Sequence, residues 1–216
     1  MRSRLDEQLA LLNRELIEMG ALCEEVIAAA AKALMEGDTE LAAQIPPRAS
    51  GIDQQERDIE ALCLKLLLRQ QPVASDLRQI SAALKMITDM ERIGDQAQDI
   101  AEIVTFLKGR TAEHDDILCQ MARATISMVT ESVDAYVKHD TIKAEGVLAA
   151  DDTVDAYFRQ VKQALISRIA ADPADGEYAL DLLMIAKYFE RIGDHATNIA
   201  EWVMFSVTGV HKTEAT

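Results

Sequence analysis

The chain is expected to be all-α, folded as two tandem and similar three-helix bundles with six long helices in all. Three observations predict this. The 216 residues include only four prolines, nine glycines and nine aromatics, against abundant Ala, Leu, Ile and Met, a balance that suits packed helices better than sheets. Turn signals are sparse, and the stretches between them run to about 30 residues, the scale of long up-and-down bundles. Finally, ERIGDQAQDIAE at Glu91–Glu102 returns as ERIGDHATNIAE at Glu190–Glu201, with nine of twelve positions identical at an offset of 99. That is an internal repeat.

The helices follow from their punctuation. The first, over 3–36, stops at EGDTE, where Gly37 and Asp38 supply an end and a new start. The second, over 38–70, meets Pro46 and Pro47 near its beginning and stops at RQQPVASD around Pro72. The third, over 75–108, carries Ala83, Met86, Met90, Ile93, Ala97, Ile100 and Val104 at alternating spacings of three and four, one apolar stripe that reads as core. It ends at Gly109. The fourth, over 113–138, ends at VKHDT; the fifth, over 141–171, ends at AADPADGE around Pro173; the sixth covers 176–207. The repeat reaches back before each proline turn, since GIDQQERDIEALCLKLL parallels TVDAYFRQVKQALI and pairs Asp53 with Asp155 at an offset of 102. Dividing near Gly109 gives a first bundle over 1–109 and a second over 110–216.

Twenty-two basic against thirty-seven acidic residues leave a net charge of −15, which repels phosphate backbones and argues against nucleic-acid binding. Cys23, Cys63 and Cys119 are odd in number, widely spaced and set in apolar stretches, so they read as reduced core residues of a cytoplasmic protein. The N-terminal stretch mixes charged with apolar residues, unlike a signal peptide or a membrane span. His114, His139 and His211 are expected near helix ends, facing water. No Gly-rich loop or basic cluster offers a cradle for phosphate.

Chemistry concentrates in the repeated segment. Glu91, Asp95 and Asp99 form a file at spacing four, repeated as Glu190, Asp194 and Asn198. Like charges so placed cost roughly 0.2–0.5 kcal/mol per pair, and the interior Gly94 and Gly193 cost about 1 kcal/mol each relative to Ala. Two local penalties written twice suggest a site. Asp53 precedes Pro72 by 19 residues and Glu91 follows it by 19, so an antiparallel hairpin sets both at one level, about 28 Å from the turn. Asp155 converges likewise on Glu190 and Asp194 across the Pro173 turn. Carboxylates from neighbouring helices suit Mg²⁺, Ca²⁺, Mn²⁺ or iron. A structural reading competes, in which Arg92 and Arg191 neutralise the acids across helices. His195 is a poor candidate ligand, because Gln96 replaces it in the first copy.

The doubled ERIGD, the QQPVASDLR turn and the GID and TVD segments resemble the PhoU family of phosphate-specific transport accessory proteins over essentially the whole chain. The resemblance implies two similar three-helix bundles and multinuclear metal sites, with iron or zinc, at Glu/Asp-x-x-x-Asp motifs. By position it assigns Glu91 and Asp95 to one site and Glu190 and Asp194 to the other, and ADDTVD adds Asp151 beside Asp155. Ala49 stands where the second half has Asp151, so the second site is expected to bind metal better. The resemblance further implies repression of the phosphate-starvation response through the transporter ATPase PstB and the histidine kinase PhoR, by binding and without catalysis. A homodimer is expected. The competing readings are a carboxylate-bridged metalloenzyme, disfavoured because Glu-x-x-x-Asp lacks the histidine of Glu-x-x-His sites, and a metal-independent acidic adaptor.

Overall fold

In the computed structural model, which describes residues 2–70, 72–107, 109–111 and 116–210, the helices are α1 (Arg2–Glu36), α2 (Thr39–Ala43), α3 (Ile45–Gln70), α4 (Ala74–Phe106), α5 (Asp116–Lys138), α6 (Thr141–Ala171) and α7 (Gly176–Thr208). A single 3₁₀ turn, Pro173–Asp175, joins α6 to α7. Six helices are long, and no strand occurs among the described residues. Several of the starts have a visible chemical cause. Asp38 and Asp140 cap α2 and α6 by accepting from the Leu41 and Lys143 amides, both at 2.9 Å. Asp172 does the same for the Ala174 amide at 3.0 Å.

The second expected helix is divided. A break at Gln44 leaves the five-residue α2 ahead of α3. Pro46 and Pro47 explain the position of the break: neither has an N–H to give, and the first turn of a helix is where that loss is harmless. Gly37 has a φ of +66° and closes α1, where a Cβ would meet the Gly109 carbonyl oxygen at 3.0 Å. The segment joining the halves therefore lies against the end of α1. His139 sits exposed just beyond α5, as expected, while His114 and His211 fall outside the described residues.

The helices form two layers. In one, α3, α4, α7 and α6 lie side by side in that order; in the other, α1 backs α3 and α4 while α5 backs α6 and α7. Equivalent helices pack on each other, α4 on α7 and α1 on α5, the self-complementary pattern of a two-fold dimer built into one chain. The α4–α7 seam runs antiparallel. Arg78 of α4 reaches the Ser206 carbonyl near the end of α7, and Asp89 meets Asn198 further along. All seven residues of the α4 stripe are buried, as are Cys23 and Cys63, while Cys119 is half-buried. The buried apolar side chains of both halves join into one continuous core.

Candidate functional site

Two acidic clusters form, one across α3–α4 and one across α6–α7. In the first, Asp53 and Glu56 of α3 act on Glu91 of α4. Burial raises the Glu91 carboxyl above its ordinary value, the negative charges of Asp95, Glu56 and Asp53 add to that, and Arg92 opposes them. Glu56 is likewise raised, by burial and then by Glu60 and Asp53. Arg92 supplies the local compensation, with Nε 3.4 Å from Glu91 and Nη1 3.0 Å from Asp95. In the second cluster, burial raises Asp151, with Asp194, Asp155 and Asp152 contributing in turn. Burial and Asp155 also raise Asp194, against the pull of Lys187, His195 and Arg191. Lys187 pairs with Glu190 and stands 5.4 Å from the Phe158 ring centre.

Asp53 thus faces Glu91, and Asp151 and Asp155 face Asp194, each across a helix pair. Asp99 and Asn198 depart from this arrangement. Each step of four along a helix rotates a side chain by about 40°, so by the third member a file at that spacing has turned about 80°. Asn198 accordingly faces the α4–α7 seam, where its amide donates to Asp89 at 3.0 Å. His195 Nδ1 shares that carboxylate at 2.9 Å. Asp99, at the position equivalent to Asn198, is raised by burial, Asp95 and Glu102, with Arg191 across the seam opposing.

Three features were missed from sequence. Glu56 joins the first cluster because it lies three residues after Asp53 on one face of α3, a spacing that was available to read. Asp89 gave no local signal, since its partners lie more than 100 residues away. A pair of arginines also comes together: Arg110 and Arg168 both bond Asp175, at 2.8 and 2.7 Å, and both stack on the Tyr178 ring. Asp175 already engages both cations, so the pair is no open phosphate cradle.

The interior glycines also have different causes. A Cβ on Gly94 would come within 2.9 Å of Ile52 Cδ1, so that glycine admits close approach of α3 to α4. At Gly193 the nearest atoms, Val154 Cγ1 at 3.5 Å and Asp151 Oδ1 at 3.6 Å, stand at ordinary contact. The carboxylates provide hard oxygen donors of the type that suits Mg²⁺, Mn²⁺ or iron. Among the described residues, however, no three His, Cys, Asp or Glu side chains are gathered as a metal-ligand group. Arg92 and Lys187 hold some of the candidates instead, in keeping with the charge-compensated reading.

The PhoU domain model matches residues 16–104 and again residues 118–203. A PhoU homolog of Clostridium acetobutylicum, described as a phosphate-specific transport system accessory protein, is 35% identical over 212 residues, covering 96% of both chains. One from Zymomonas mobilis, described in the same words, is 36% identical and covers 98% of this chain and 90% of its own. The crystal structure of PhoU from Pseudomonas aeruginosa superposes with a TM-score of 0.89 at 34% identity over 95% of this chain and 99% of its own. With both halves matched and relatives aligned nearly end to end, the chain belongs to the PhoU family.

Proposed function

We propose that this chain is a cytoplasmic regulator that represses the phosphate-starvation response when phosphate is plentiful, coupling the high-affinity phosphate transporter to a two-component system. The observation that carries the reading is the near end-to-end match to phosphate-specific transport accessory proteins, 96% of either chain for the Clostridium relative. The partners are the transporter ATPase PstB and the histidine kinase PhoR. Regulation of this kind requires only that the protein bind one state of a partner better than another. A homodimer presents two copies of the layered surface to them.

Metal binding belongs to the same proposal. Asp151, Asp155, Glu190 and Asp194 would hold a cation in the second half, and Asp53, Glu56, Glu91 and Asp95 one in the first, with iron, zinc, magnesium or manganese as candidates. Once bound, a cation supplies positive charge between carboxylates that otherwise repel. Lys187 and Arg92, which now pair with Glu190 and with Glu91 and Asp95, would release those acids to the cation, and the paired helices would be held at fixed spacing. The raised carboxyls on facing helices support this reading.

The test is alkaline phosphatase output in high-phosphate medium with the gene deleted and then restored. High output in the deletion strain that falls on complementation supports the regulator. Output that stays low in the deletion strain of a cell with no second copy of the family removes it.

A further inference from the structure

The two ends of the α4–α7 seam are related by the internal repeat yet finished differently. At one end Phe205 packs edge to face on Trp202, ring centres 5.7 Å apart, and Arg78 reaches over to the Ser206 carbonyl at 3.4 Å. At the other end the counterpart of Phe205 is Phe106 and that of Trp202 is Ile103. Phe106 is left 61% exposed. It borders a hollow of about 170 Å³ with Glu177 and Asp181. Leu180 and Met184, one turn apart on α7, are 58% and 44% exposed. Glu102 lies one turn before Phe106. Burial and Glu177 push the Asp181 carboxyl up, and Arg110, on the wall of the hollow, is bound to Asp175 at 2.8 Å.

From this geometry we infer that the open end of the seam, formed by Phe106, Leu180 and Met184 among Glu102, Glu177 and Asp181, docks a basic amphipathic helix of a partner protein. Exposed apolar anchors one helical turn apart fit a helix laid along them. The carboxylates around them select Lys and Arg on its flanks, by charge complementarity. An anionic lipid surface and nucleic acid are disfavoured by the net charge of −15, and a second copy docked patch to patch would set Glu102, Glu177 and Asp181 against their own equivalents. The inference rests on the reading of the protein as a regulator that works through protein partners.

The probe is a synthetic peptide helix with Leu along one face and Lys on the others, binding to the full chain being followed by fluorescence anisotropy at physiological salt. The double substitution Phe106→Ser with Leu180→Ser should weaken binding about tenfold, the size expected for losing central apolar anchors. Glu177→Gln with Asp181→Asn should weaken it and flatten its salt dependence. Ile142→Ser with Asp58→Asn, equal in kind and far along the sequence, should change nothing. Should the serine double variant melt early, Leu180→Ser alone carries the test. Equal loss in the control, or no loss in any variant, overturns the docking site. A change of oligomeric mass in the Leu180→Ser variant also overturns it, since a second copy would then be the occupant. In cells the patch variant should raise reporter output while the control variant represses. A flat reporter in the deletion strain would instead refute the regulatory reading, and the peptide result would stand or fall separately.

Discussion

The α3–α4 and α6–α7 pairs carry four candidate acids apiece but distribute them differently. Through the repeat, Ala49 occupies the place of Asp151 and Glu56 that of Phe158. One acid has in effect moved about two turns along the outer helix. The compensating cation differs as well: Arg92 spans Glu91 and Asp95 in the first pair, while Lys187 holds Glu190 in the second. Beneath this, Ile52 and Val154 are equivalent and fully buried, as are Met90 and Phe189. The comparison teaches that the repeated backbone is maintained from the apolar side, which leaves the charges above it free to change.

That view is broken or upheld first in the core. Phe189 is fully buried, so Phe189→Ala should cost about 3–5 kcal/mol. Because the two halves share one core, the loss should appear as a single earlier transition in urea, with helicity and Trp202 fluorescence coinciding. Separate transitions would show that the halves unfold independently.

Metal sharpens the comparison next. Saturation at about a hundred times the dissociation constant would add about 2.7 kcal/mol, so Mn²⁺, Zn²⁺ or Fe²⁺ should raise the melting temperature of chelator-treated protein. The second cluster has three acids acting on Asp151 and no Arg92-like bridge across two of its members. Asp151→Asn should therefore weaken the metal-induced shift more than Glu56→Gln. The reverse order would make the first pair the stronger site.

Much of this was legible beforehand because it is local. The stripe from Ala83 to Val104 has the helical period, and the proline turns fix which carboxylates share a level. Asp53 with Glu91 and Asp155 with Asp194 follow from counting. What escaped depends on rotation and on contacts distant in sequence. Asp99 and Asn198 stand third in their ladders, where the accumulated turn of the helix brings Asn198 to Asp89 and Asp99 within reach of Arg191 as well as Asp95. Asp89 acquires His195 and Asn198 only once α7 lies antiparallel on α4. The break at Gln44 was signalled by Pro46 and Pro47, and its place required knowing that both prolines fit a first turn.

The glycines provide a smaller test with opposite signs. Gly193→Ala meets only ordinary contacts, so the gain in helix propensity should stabilise the chain by up to about 1 kcal/mol. Gly94→Ala puts a methyl 2.9 Å from Ile52 Cδ1 in a fully buried setting, where overpacking costs typically 1–3 kcal/mol and outweighs the propensity gain. Thermal melts of the two single variants read the difference. Stabilisation by both would mean that Ile52 yields freely and that close packing does not explain Gly94.

The smallest effect concerns pH. Burial, then Asp194, Asp155 and Asp152, hold the Asp151 carboxyl above its ordinary 3.8, so the folded chain binds that proton more readily than the unfolded one. This contribution to stability therefore rises as pH falls through the raised value, levels off below about 3.8, and is lost again as pH rises. In metal-free protein Asp151→Asn should be more stable than the parent at neutral pH, with the advantage shrinking on acidification. Asp134, lowered chiefly by its bond from Lys138, tilts the profile the other way, but it is common to both proteins and cancels in their difference. An advantage that does not change with pH would mean the substitution acts through packing on Gly193. The repulsion assigned to the second cluster would then have no share in the contrast between the halves.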